Sequence, residues 1–501
     1  MKPWILCLFF ALAASTATAQ RTYAEAIAQG DAALRQGAYK IAIDKYFAAE
    51  AFDPAKKETV RAKVNAVFEK IEALRREAED ARKQAEAALA EVRLKNLSIF
   101  ESFAALGKNQ IYALDHAEAL EKMKVAVEID VDSKLKKQQL TEPIAELLYF
   151  FAEAGRRPQL ARTAASLLLQ LQPSATLEAH LKKCLQENWE NRSQFTPLLK
   201  ALPSYQTLQD RYYPRMVSIP LGEEGIFEMG SSPLESGHQS DEQLHKVRLS
   251  AYQMTETPTT FYQFALFCEA VERGIASRAP YWGLRGDHPA VNVNWYETAE
   301  YANWLNEQKG QSPSYTITKI NNSDRNNKVR LDFLKWKVDW NKDSKGFRLP
   351  TEAEWELAAQ GGVGASRTLY AGSDDLEEVG WYWQNSGDKP LDGDWDLNRI
   401  YDNNGRTHAV KGKKHNGLGI YDLSGNVYEW CWDWYDSDYY DECNQAGAVE
   451  KPTGPESSID GRVFRGGSWY YFAAYCRAAF RDRSGPDYRN DNIGFRLVFV
   501  P

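Results

Sequence analysis

Cysteine and histidine are the side chains through which this sequence could bind a soft metal or run redox chemistry. Five cysteines follow Cys7, and they are widely spaced with no C-x-x-C pair. A structural zinc site and a thioredoxin-like redox pair therefore have no support. An odd number of thiols in a long chain is not a disulfide framework. It is compatible with one bridge, for which we choose Cys431 and Cys476. His238 and His245 form no H-x-x-x-H pair, so we expect both at the surface.

The segment between Trp469 and Ile493 has the composition of a binding surface. Rigid aromatic rings supply contact area at low entropic cost, and small polar residues supply adaptable hydrogen bonds. Arg477, Arg481 and Arg489 lie among them, and arginine and tyrosine dominate binding hot spots. The alternative is that the rings fill the core beneath the loops. The predicted ligand-binding residues are Tyr470, Tyr471, Phe472, Tyr475, Phe480, Asp482, Ser484, Tyr488 and Asp491.

The elements that must position these residues differ between the two halves of the chain. Only four of the 32 glycines precede residue 200, and only Trp4 and Trp189 of the 15 tryptophans do so. An Ala/Glu/Lys/Leu-rich first half is therefore followed by a half rich in glycine, tryptophan and asparagine. The net charge is 61 − 69 = −8. No basic excess is available to neutralise a phosphate backbone, so we expect no nucleic-acid partner.

Residues 1–19 have the pattern of a signal peptide. Lys2 precedes an apolar run from Pro3 to Ala14, and Ala17-Thr18-Ala19 forms an A-x-A cleavage site. We expect cleavage after Ala19 and export to the periplasm or the extracellular space; a retained membrane anchor is the alternative. No later stretch reaches the roughly 18 apolar residues of a transmembrane helix.

Residues 20–200 are predicted to be an all-α region. Small and aromatic residues fall where two packed helices need them, at Gly30, Gly37, Tyr39, Ala42, Tyr46, Ala49 and Pro54. This pattern resembles a tetratricopeptide repeat, whose period is about 34 residues. The resemblance implies a helical repeat that could hold a protein partner, and an irregular helical bundle is the alternative. We expect no nucleophile, base or metal cluster in this region.

A heptad pattern within this region predicts one long helix. Apolar residues alternate spacings of four and three at Val60, Val64, Val67, Ile71, Leu74, Ala78, Ala81, Ala85, Ala88 and Val92. The alanine-rich half permits close helix approach but buries little area. An intramolecular helical hairpin and a dimeric stalk both satisfy this pattern.

Residues 201–211 are expected to form a linker, and residues 212–501 a second domain with a series of ordered motifs. They include MVSIP from Met216, GFRLPTEAEWELAAQGG from Gly346, GLGIYDLSGNVYEWCWDWY from Gly417, RVFRGGSW from Arg462 and GFRLV from Gly494. The series resembles the formylglycine-generating enzyme, or sulfatase-modifying factor, family. The resemblance implies an α+β, loop-rich variant of the C-type-lectin fold.

Two features of the second domain can be read without the resemblance. Pro350 and Thr351 predict a helix start, because the threonine hydroxyl can accept backbone N–H bonds and proline blocks an earlier helix. Large buried area is expected from Trp295, Trp355, Trp430, Trp432 and Trp434.

The resemblance also bears on catalysis. Family members that convert a sulfatase cysteine to formylglycine use a copper-binding cysteine pair near the C-terminus. The family pattern, laid back from Pro486, places that pair at Ala473 and Ala478. Alanine supplies no thiolate for soft Cu(I), and Cys476 is two residues out of place. We therefore expect neither copper nor a catalytic residue here.

Calcium is the cofactor that the resemblance implies. The family's first site corresponds to Asp422, Gly425, Val427 and Glu429, an all-oxygen set of carboxylates and carbonyls that suits hard Ca²⁺. A second, weaker site corresponds to Asn385, Ser386, Asp402 and Asn404, with an insertion of polar residues between its halves. The alternative is that these Asx side chains only cap their own turns.

The C-terminal segment also resembles the variable region of proteins diversified by retroelements, whose lectin-like domains end in GGSW…GFRLV segments. In such systems, adenine mutagenesis turns asparagine codons into Tyr, Phe, Asp, Ser, Gly and Ala. Two hypotheses follow. The first is an exported recognition protein that binds a protein or glycan ligand. The second is a formylglycine-generating oxidase that acts on sulfatases, and the missing cysteine pair favours the first.

Overall fold

The structure is a computed structural model that describes residues 22–171 and 174–501. The predicted signal peptide at residues 1–19 lies outside this part of the chain. The chain divides into two compact units, Met1–Ser98 and Ile99–Pro501. In the described residues, no helix is both long enough and apolar enough to cross a membrane.

The first unit contains α1 (residues 22–35), α2 (Tyr39–Phe52) and the first part of α3 (Lys57–Tyr112). Gly30 lies against Tyr46, so closely that a Cβ atom at Gly30 would lie 2.5 Å from the tyrosine ring. Ala42, Tyr46 and Ala49 are buried in the small core of this unit, as the helix-pair prediction requires. The tetratricopeptide resemblance itself stays a prediction.

The heptad stretch lies in one continuous helix, which confirms the predicted long helix. Val60, Val64 and Val67 are buried in the core of the first unit. Residues 72–95, in contrast, are exposed on every face of the helix. Of the two alternatives, the intramolecular hairpin is therefore not formed within the described part of the chain, where no segment covers this stretch. The dimeric stalk stays a prediction.

The second unit begins with helices. They are α4 (His116–Glu128), α5 (Ser133–Ala154), α6 (Pro158–Leu171), α7 (Ala175–Gln186), α8 (Arg192–Lys200) and α9 (Tyr205–Tyr212). Local sequence sets their ends. The side chains of Asp115, Asp132, Ser174 and Asn191 accept N-terminal backbone N–H groups, and Gly155 ends α5 in a left-handed conformation.

The predicted linker at 201–211 is wrong, because most of it forms α9, whose Leu208 and Tyr212 are buried. They belong to one apolar core that continues from the preceding helices into the following domain. The Tyr212 ring contacts the Tyr262 ring edge-on, with centroids 5.7 Å apart. The helical region and the domain after it therefore fold on a shared core.

The remaining helices are short. They are α10 (Phe261–Ala270), α11 (Trp295–Gln308), α12 (Glu352–Ala359), α13 (Leu376–Val379), α14 (Leu397–Asp402) and α15 (Tyr439–Ala446). The strands have two to four residues, apart from β8 with seven. They are β1 (Met216–Ser218), β2 (Ile226–Met229), β3 (His245–Arg248), β4 (Gln253–Thr255), β5 (Tyr315–Thr318), β6 (Lys337–Trp340), β7 (Gly346–Arg348), β8 (Tyr428–Trp434), β9 (Val449–Glu450), β10 (Arg462–Arg465), β11 (Arg481–Ser484), β12 (Ile493–Gly494) and β13 (Val498–Val500).

The strands form four small sheets. The first has the antiparallel order β1-β4-β13-β7, and the second has the order β11-β10-β8-β12, with β12 parallel to β8. The other two are β2-β3-β9 and β5-β6. Short helices and strands joined by long loops confirm the predicted α+β, loop-rich architecture.

Local predictions in this domain are confirmed. Thr351 caps α12, where its hydroxyl accepts from the Glu354 N–H and the Glu354 carboxylate accepts from the Thr351 N–H. Trp295, Trp355, Trp430 and Trp434 are buried, while Trp432 is half-buried.

Two predictions about cysteine and histidine are wrong. All five cysteines of the described chain are buried and free, so Cys431 and Cys476 form no bridge. His245 is not at the surface. It is buried against the Tyr440 ring, where loss of solvent lowers the pKa of its imidazole. His238 is half-buried and bonds the Ser231 hydroxyl.

Candidate functional site

Three buried arginines hold the C-terminal segment in place. Arg465 pairs with Glu352 and Glu356, each at 2.7 Å, and Arg481 forms a bidentate pair with Glu352 at 2.7 and 2.8 Å. Burial opposes the charge of Glu352, but Arg481 and Arg465 outweigh burial and lower the pKa of this carboxyl group. Arg477 makes a second bidentate pair with Glu242, at 2.6 and 2.9 Å. We call Arg465, Arg477 and Arg481 the arginine anchors.

The anchors correct part of the sequence interpretation. Arg477 and Arg481 lie in sequence among the predicted ligand-binding residues, in a segment whose composition indicated a binding surface, yet the side chains of both are almost fully buried. Their charges are satisfied by internal glutamates, because a buried guanidinium without a partner is costly. Arg489 is half-buried and pairs with Glu297 at 2.9 Å. The arginines hold the segment in position through internal ion pairs, and they are not its exposed ligand-binding groups.

Five rings between and beyond the anchors form a second feature, which we call the aromatic face: Tyr470, Tyr471, Phe472, Tyr475 and Tyr488. Phe472 is 40% exposed and Tyr488 is 43% exposed. Tyr470 stacks on Tyr471 with centroids 4.4 Å apart, and Tyr475 lies 5.4 Å from Tyr471 and 5.7 Å from Phe472. The structure therefore brings four of the predicted binding rings into contact.

Phe480 does not belong to this face. It is only 7% exposed and stacks beneath Tyr475, with centroids 4.5 Å apart and planes inclined by 14°. The prediction that Phe480 is exposed with the other rings is wrong, because it lies in the apolar core of the unit. Phe480 supports the face from below.

The predicted polar residues are distributed along the same segment. Asp482 lies in β11, and Ser484 ends that strand opposite Arg462. Both side chains are half-buried, and burial raises the pKa of Asp482. Asp491 is also half-buried, and burial raises its pKa to about 6.

Rings from distant loops enlarge the face, and sequence reasoning missed them. Trp395 lies 5.6 Å from Phe472 and donates its indole N–H to the Tyr470 carbonyl at 2.7 Å. The rings of Tyr281 and Tyr401 contact the buried Trp469, with centroids 6.5 and 6.1 Å from it. No local spacing signals this grouping, because the fold alone brings these loops together.

The first calcium loop is buried and already densely bonded. Asp422 accepts from the Lys411 N–H at 3.0 Å and the Asn426 amide at 3.1 Å, and burial raises its pKa. Glu429 accepts from Arg496 at 2.6 and 2.8 Å and from Trp355 at 2.6 Å. The donors are oxygens, as Ca²⁺ requires, but Glu429 would have to share its oxygens with a guanidinium.

Backbone conformation in this loop explains its glycine. Gly425 has a φ of +77°, and a Cβ atom there would lie 2.2 Å from the Trp381 carbonyl oxygen. The Gly425 carbonyl accepts from the Val427 N–H at 2.8 Å. Gly425 is therefore required by the close approach of two loops. Calcium at this loop stays a prediction.

The structure brings together both halves of the second candidate calcium site. Across the predicted insertion, the Asp388 N–H bonds the Asn403 carbonyl at 2.9 Å. The buried hydroxyl of Ser386 has no hydrogen-bond partner among the described residues. Asn404 donates to Asp388, Asp402 is exposed, and Asn385 accepts from the Tyr382 N–H.

The thiols of the described chain are poorly suited to redox chemistry. Cys476 is fully buried, and burial raises its pKa to about 12. Burial also raises the pKa of Cys184 and Cys443 to about 11 and of Cys268 to about 12. The pKa of Cys431 is raised well above its usual value for the same reason. Since the thiolate is the reactive form, none of these thiols is a ready nucleophile.

Comparison with known proteins identifies the family to which most of the second unit is similar. Residues 203–500 match the family described as Sulfatase-modifying factor enzyme 1-like domain, so the match includes α9. The formylglycine-generating enzyme of Streptomyces coelicolor is 30% identical over 334 residues, which cover 56% of this chain and 88% of that enzyme.

Two further relatives carry other names. Chaperone protein LppX of Paenibacillus barcinonensis is 42% identical over 188 residues, which cover 37% of this chain and 61% of the chaperone. The chain thus spans about three fifths of that relative's length. The solved structure of Treponema denticola variable protein 1 is 31% identical, with a TM-score of 0.44, and the match covers 57% of this chain and 95% of that one. By its matched residues and its motifs, the chain belongs to the sulfatase-modifying factor enzyme 1-like family.

Proposed function

We propose that this protein is an exported, non-catalytic recognition protein whose family domain binds a ligand through the aromatic face. One observation carries the proposal: exposed and half-buried rings cluster on a segment that buried ion pairs hold in place. Aromatic side chains anchored on a rigid scaffold are typical of binding hot spots.

The exposure of the face has no folding rationale. Phe472 and Tyr488 leave apolar area in water, although Phe480, at 7% exposed, shows that the same segment can bury a ring almost completely. A contiguous apolar patch on a monomer marks an interaction site more often than it marks packing. The ligand is therefore expected to cover Phe472 and Tyr488 and to contact Tyr470, Tyr471 and Tyr475.

The alternative, a copper-dependent oxidase, needs a pair of cysteine ligands at two positions where this sequence has alanine. The positions expected for the copper-binding pair are Ala473, in a 3-10 turn, and Ala478, which is buried. Neither side chain has a ligand atom, and Cys476 between them is a buried thiol of raised pKa. We expect no formylglycine in a sulfatase-motif peptide incubated with the protein, copper and oxygen, as measured by mass spectrometry. Detection of formylglycine would show that the protein is an enzyme and would contradict the proposal.

A double variant tests the face. Phe472→Ala with Tyr488→Ala should abolish binding to the glycans or displayed peptides that the wild-type protein selects from a glycan array and a phage peptide library. The melting temperature should fall only slightly and much less than in Phe480→Ala, because Phe472 and Tyr488 are 40% and 43% exposed whereas Phe480 is 7% exposed. Ile459→Ala, which is 73% exposed and outside the face, is the matched control and should bind normally.

Phe480→Ala separates recognition from packing. Removing this buried ring should cost roughly 3–5 kcal/mol of folding free energy, as for other buried phenylalanines. If the Phe472/Tyr488 double variant unfolds as easily as Phe480→Ala, the face is core and the proposal fails. If the folded double variant binds as the wild type does, the proposal also fails.

Export and diversification are further parts of the proposal. Mass spectrometry of the protein from its native cell should find a mature N-terminus at Gln20, and a retained Lys2 would contradict export. Diversification predicts a near-copy of the coding sequence for the last segment, rich in AAC codons, beside a reverse transcriptase gene. If the genome lacks such a copy, diversification fails and the recognition surface has a fixed sequence.

A further inference from the structure

A cavity of about 520 Å³ lies where three loops of the second unit meet. Residues 249–251 between β3 and β4, residues 342–345 between β6 and β7, and residues 451–453 after β9 contribute to its lining. Val500, at the end of β13, lines a further side, and the described residues of the lining include none of the aromatic face. Cavities that bind small molecules have volumes of roughly 300–1,000 Å³. This cavity is therefore large enough for a small organic molecule.

Part of the cavity lining is apolar or neutral. Leu249 and Pro452 line the cavity and are buried, and the half-buried Trp340 lines it as well. The Arg348 guanidinium lies over the Trp340 ring, 4.8 Å from its centroid, and pairs with Glu354 at 2.6 and 2.7 Å. Both side chains of this ion pair are almost fully buried, so their charges cancel within the fold. This part of the lining offers apolar contact to a ligand.

Positive charge exceeds negative charge in the rest of the lining. Its three lysines are exposed: Lys342, Lys345 and Lys451. The Lys342 ammonium donates to the Thr453 hydroxyl at 3.3 Å. The ammonium groups of Lys345 and Lys451 form neither an ion pair nor a hydrogen bond within the described residues. Outside the neutral ion pair, Asp343 is the one acidic side chain among the described residues of the lining, so three positive charges stand against one negative charge.

Lys451 has a backbone conformation that glycine would adopt more easily. Its φ is +45°, in the left-handed region where a Cβ atom is unfavourable. Its N–H donates to the Arg248 carbonyl at 2.8 Å, a bond that glycine would form as well. Within the described residues, no ion pair or hydrogen bond of the Lys451 side chain offsets this backbone cost. Strained residues cluster at functional sites and ligand sites. The lysine at position 451 therefore points to a ligand.

We infer that this cavity binds a small organic anion with an apolar body, such as an aromatic carboxylate. The lysines of the lining pair with the anionic group through charge-assisted hydrogen bonds, and the apolar lining contacts the body. A bare inorganic anion would leave most of the 520 Å³ unfilled, and a neutral molecule would leave the ammonium groups unpaired. The excess of lysine disfavours a cation. Because the cavity is separate from the aromatic face, this inference goes beyond the proposed function.

Three small probes test the cavity on the full chain by saturation-transfer NMR titration. Naphthoate carries a ring system and a carboxylate, naphthamide keeps the rings without the charge, and acetate keeps the charge without the rings. Naphthoate should bind at least tenfold more tightly than either of the other two probes. Equal affinity for naphthamide would mean that the lysines do not select charge, and equal affinity for acetate would mean that the apolar lining takes no part. Either result would overturn the inference.

Two double variants that remove equal charge locate the binding. Lys345→Gln with Lys451→Gln should lower the affinity for naphthoate at least tenfold. Lys246→Gln with Lys337→Gln is the matched control, because both lysines are exposed on β3 and β6, which lead into the cavity loops, but do not line the cavity. The control should change the affinity less than twofold, and thermal melting checks that both variants are folded. Equal naphthoate affinity of the two folded variants would overturn the inference.

Substitutions at position 451 separate binding from packing. Lys451→Gly should melt at or above the wild-type temperature, because glycine adopts the left-handed conformation freely, yet it should lose affinity for naphthoate. Lys451→Ala removes the ammonium but keeps the Cβ atom, so it should lose the same affinity and melt at a lower temperature than the glycine variant. If folded Lys451→Gly binds naphthoate as tightly as the wild type does, the inference fails.

This inference and the proposed function can fail separately. Phe472→Ala with Tyr488→Ala should leave the affinity for naphthoate unchanged, because neither ring lines the cavity. Lys345→Gln with Lys451→Gln should keep every ligand that the arrays select. If the lysine variant keeps those ligands and also keeps naphthoate, the recognition face stands and the anion site fails. Loss of naphthoate binding in the folded Phe472/Tyr488 variant would contradict a separate site.

Discussion

Arg477 and its partner show how the charge of one residue decides the position of a segment. Glu242 is fully buried, and both of its oxygens are held by Arg477. Arg477→Met would leave that carboxylate buried without a cation, which costs about 3–5 kcal/mol. Urea denaturation should show this loss as a lower midpoint.

A neighbouring arginine is the control for that measurement. Arg483 is exposed, and its guanidinium lies 4.0 Å from Asp482. Arg483→Met should therefore change the free energy of unfolding by less than about 1 kcal/mol. Equal midpoints for the Arg477 and Arg483 variants would show that the anchors do not hold the segment.

Asp491 should reduce stability at neutral pH. Burial raises its folded-state pKa from 3.8 to about 6, so ionisation is harder in the folded chain than in the unfolded chain. The cost is absent below about pH 3, where both states are protonated, grows between the unfolded-state pKa of 3.8 and the folded-state pKa of about 6, and is complete above that. Asp491→Asn should therefore raise stability at pH 7.5 by about 1 kcal/mol, allowing for solvent screening.

Melting curves at two pH values check the sign. The gain from Asp491→Asn should be present at pH 7.5 and absent at about pH 3, below both pKa values. A gain that persists in full at about pH 3 would mean that the amide improves packing and that the carboxylate carries no ionisation cost.

The loop from Asp422 to Glu429 is the element on which calcium is decided. We expect millimolar Ca²⁺ to raise the melting temperature of the full chain over that in chelator, because an ion that binds only the folded state stabilises it. Asp422→Asn should remove most of that gain. Glu429→Ala is a poor test, since it leaves Arg496 buried and unpaired whether or not calcium binds. Identical melts with chelator and with calcium would rule the site out.

Elements whose determinants are local could be predicted, and those built by distant partners could not. The long helix follows from its own heptads, and the start of α12 follows from Thr351 and Glu354 three residues apart. The composition of the C-terminal segment likewise indicated its exposed rings. The segment does not reveal which of its residues are buried, because Glu242 and Glu352, which bind Arg477 and Arg481, lie far away in sequence.

The same reason explains the incomplete site. Tyr281 and Tyr401 reach the face from a loop and from α14, and nothing near them in sequence points to Trp469. Phe480 and Phe472 are chemically alike and eight residues apart, yet one is buried and the other exposed. Only the path of the backbone through the 3-10 turn at Ala473–Cys476 separates them.

At the scale of the whole molecule, the shared core makes residues 99–501 the smallest unit that we expect to fold. A fragment that begins at residue 99 should keep a cooperative melt in the second unit. A fragment that begins at residue 213 would expose the face of α10 that contacts α5 and α9, including Tyr262. That fragment should aggregate or melt at a much lower temperature, as size-exclusion chromatography and calorimetry would show. Equal stability of the two fragments would contradict a shared core.

The position of β13 in its sheet determines how long the sheet stays incomplete during synthesis. β13 lies between β4 and β7, and its residues begin at Val498, whereas β4 ends at Thr255. At about 5–20 residues per second, a ribosome needs on the order of ten to fifty seconds between these strands. Throughout that interval β4 lacks its central neighbour, and an open strand edge invites pairing with other chains. Until β13 has been synthesised and paired, the nascent chain therefore needs protection from association with other copies through the open edge of β4.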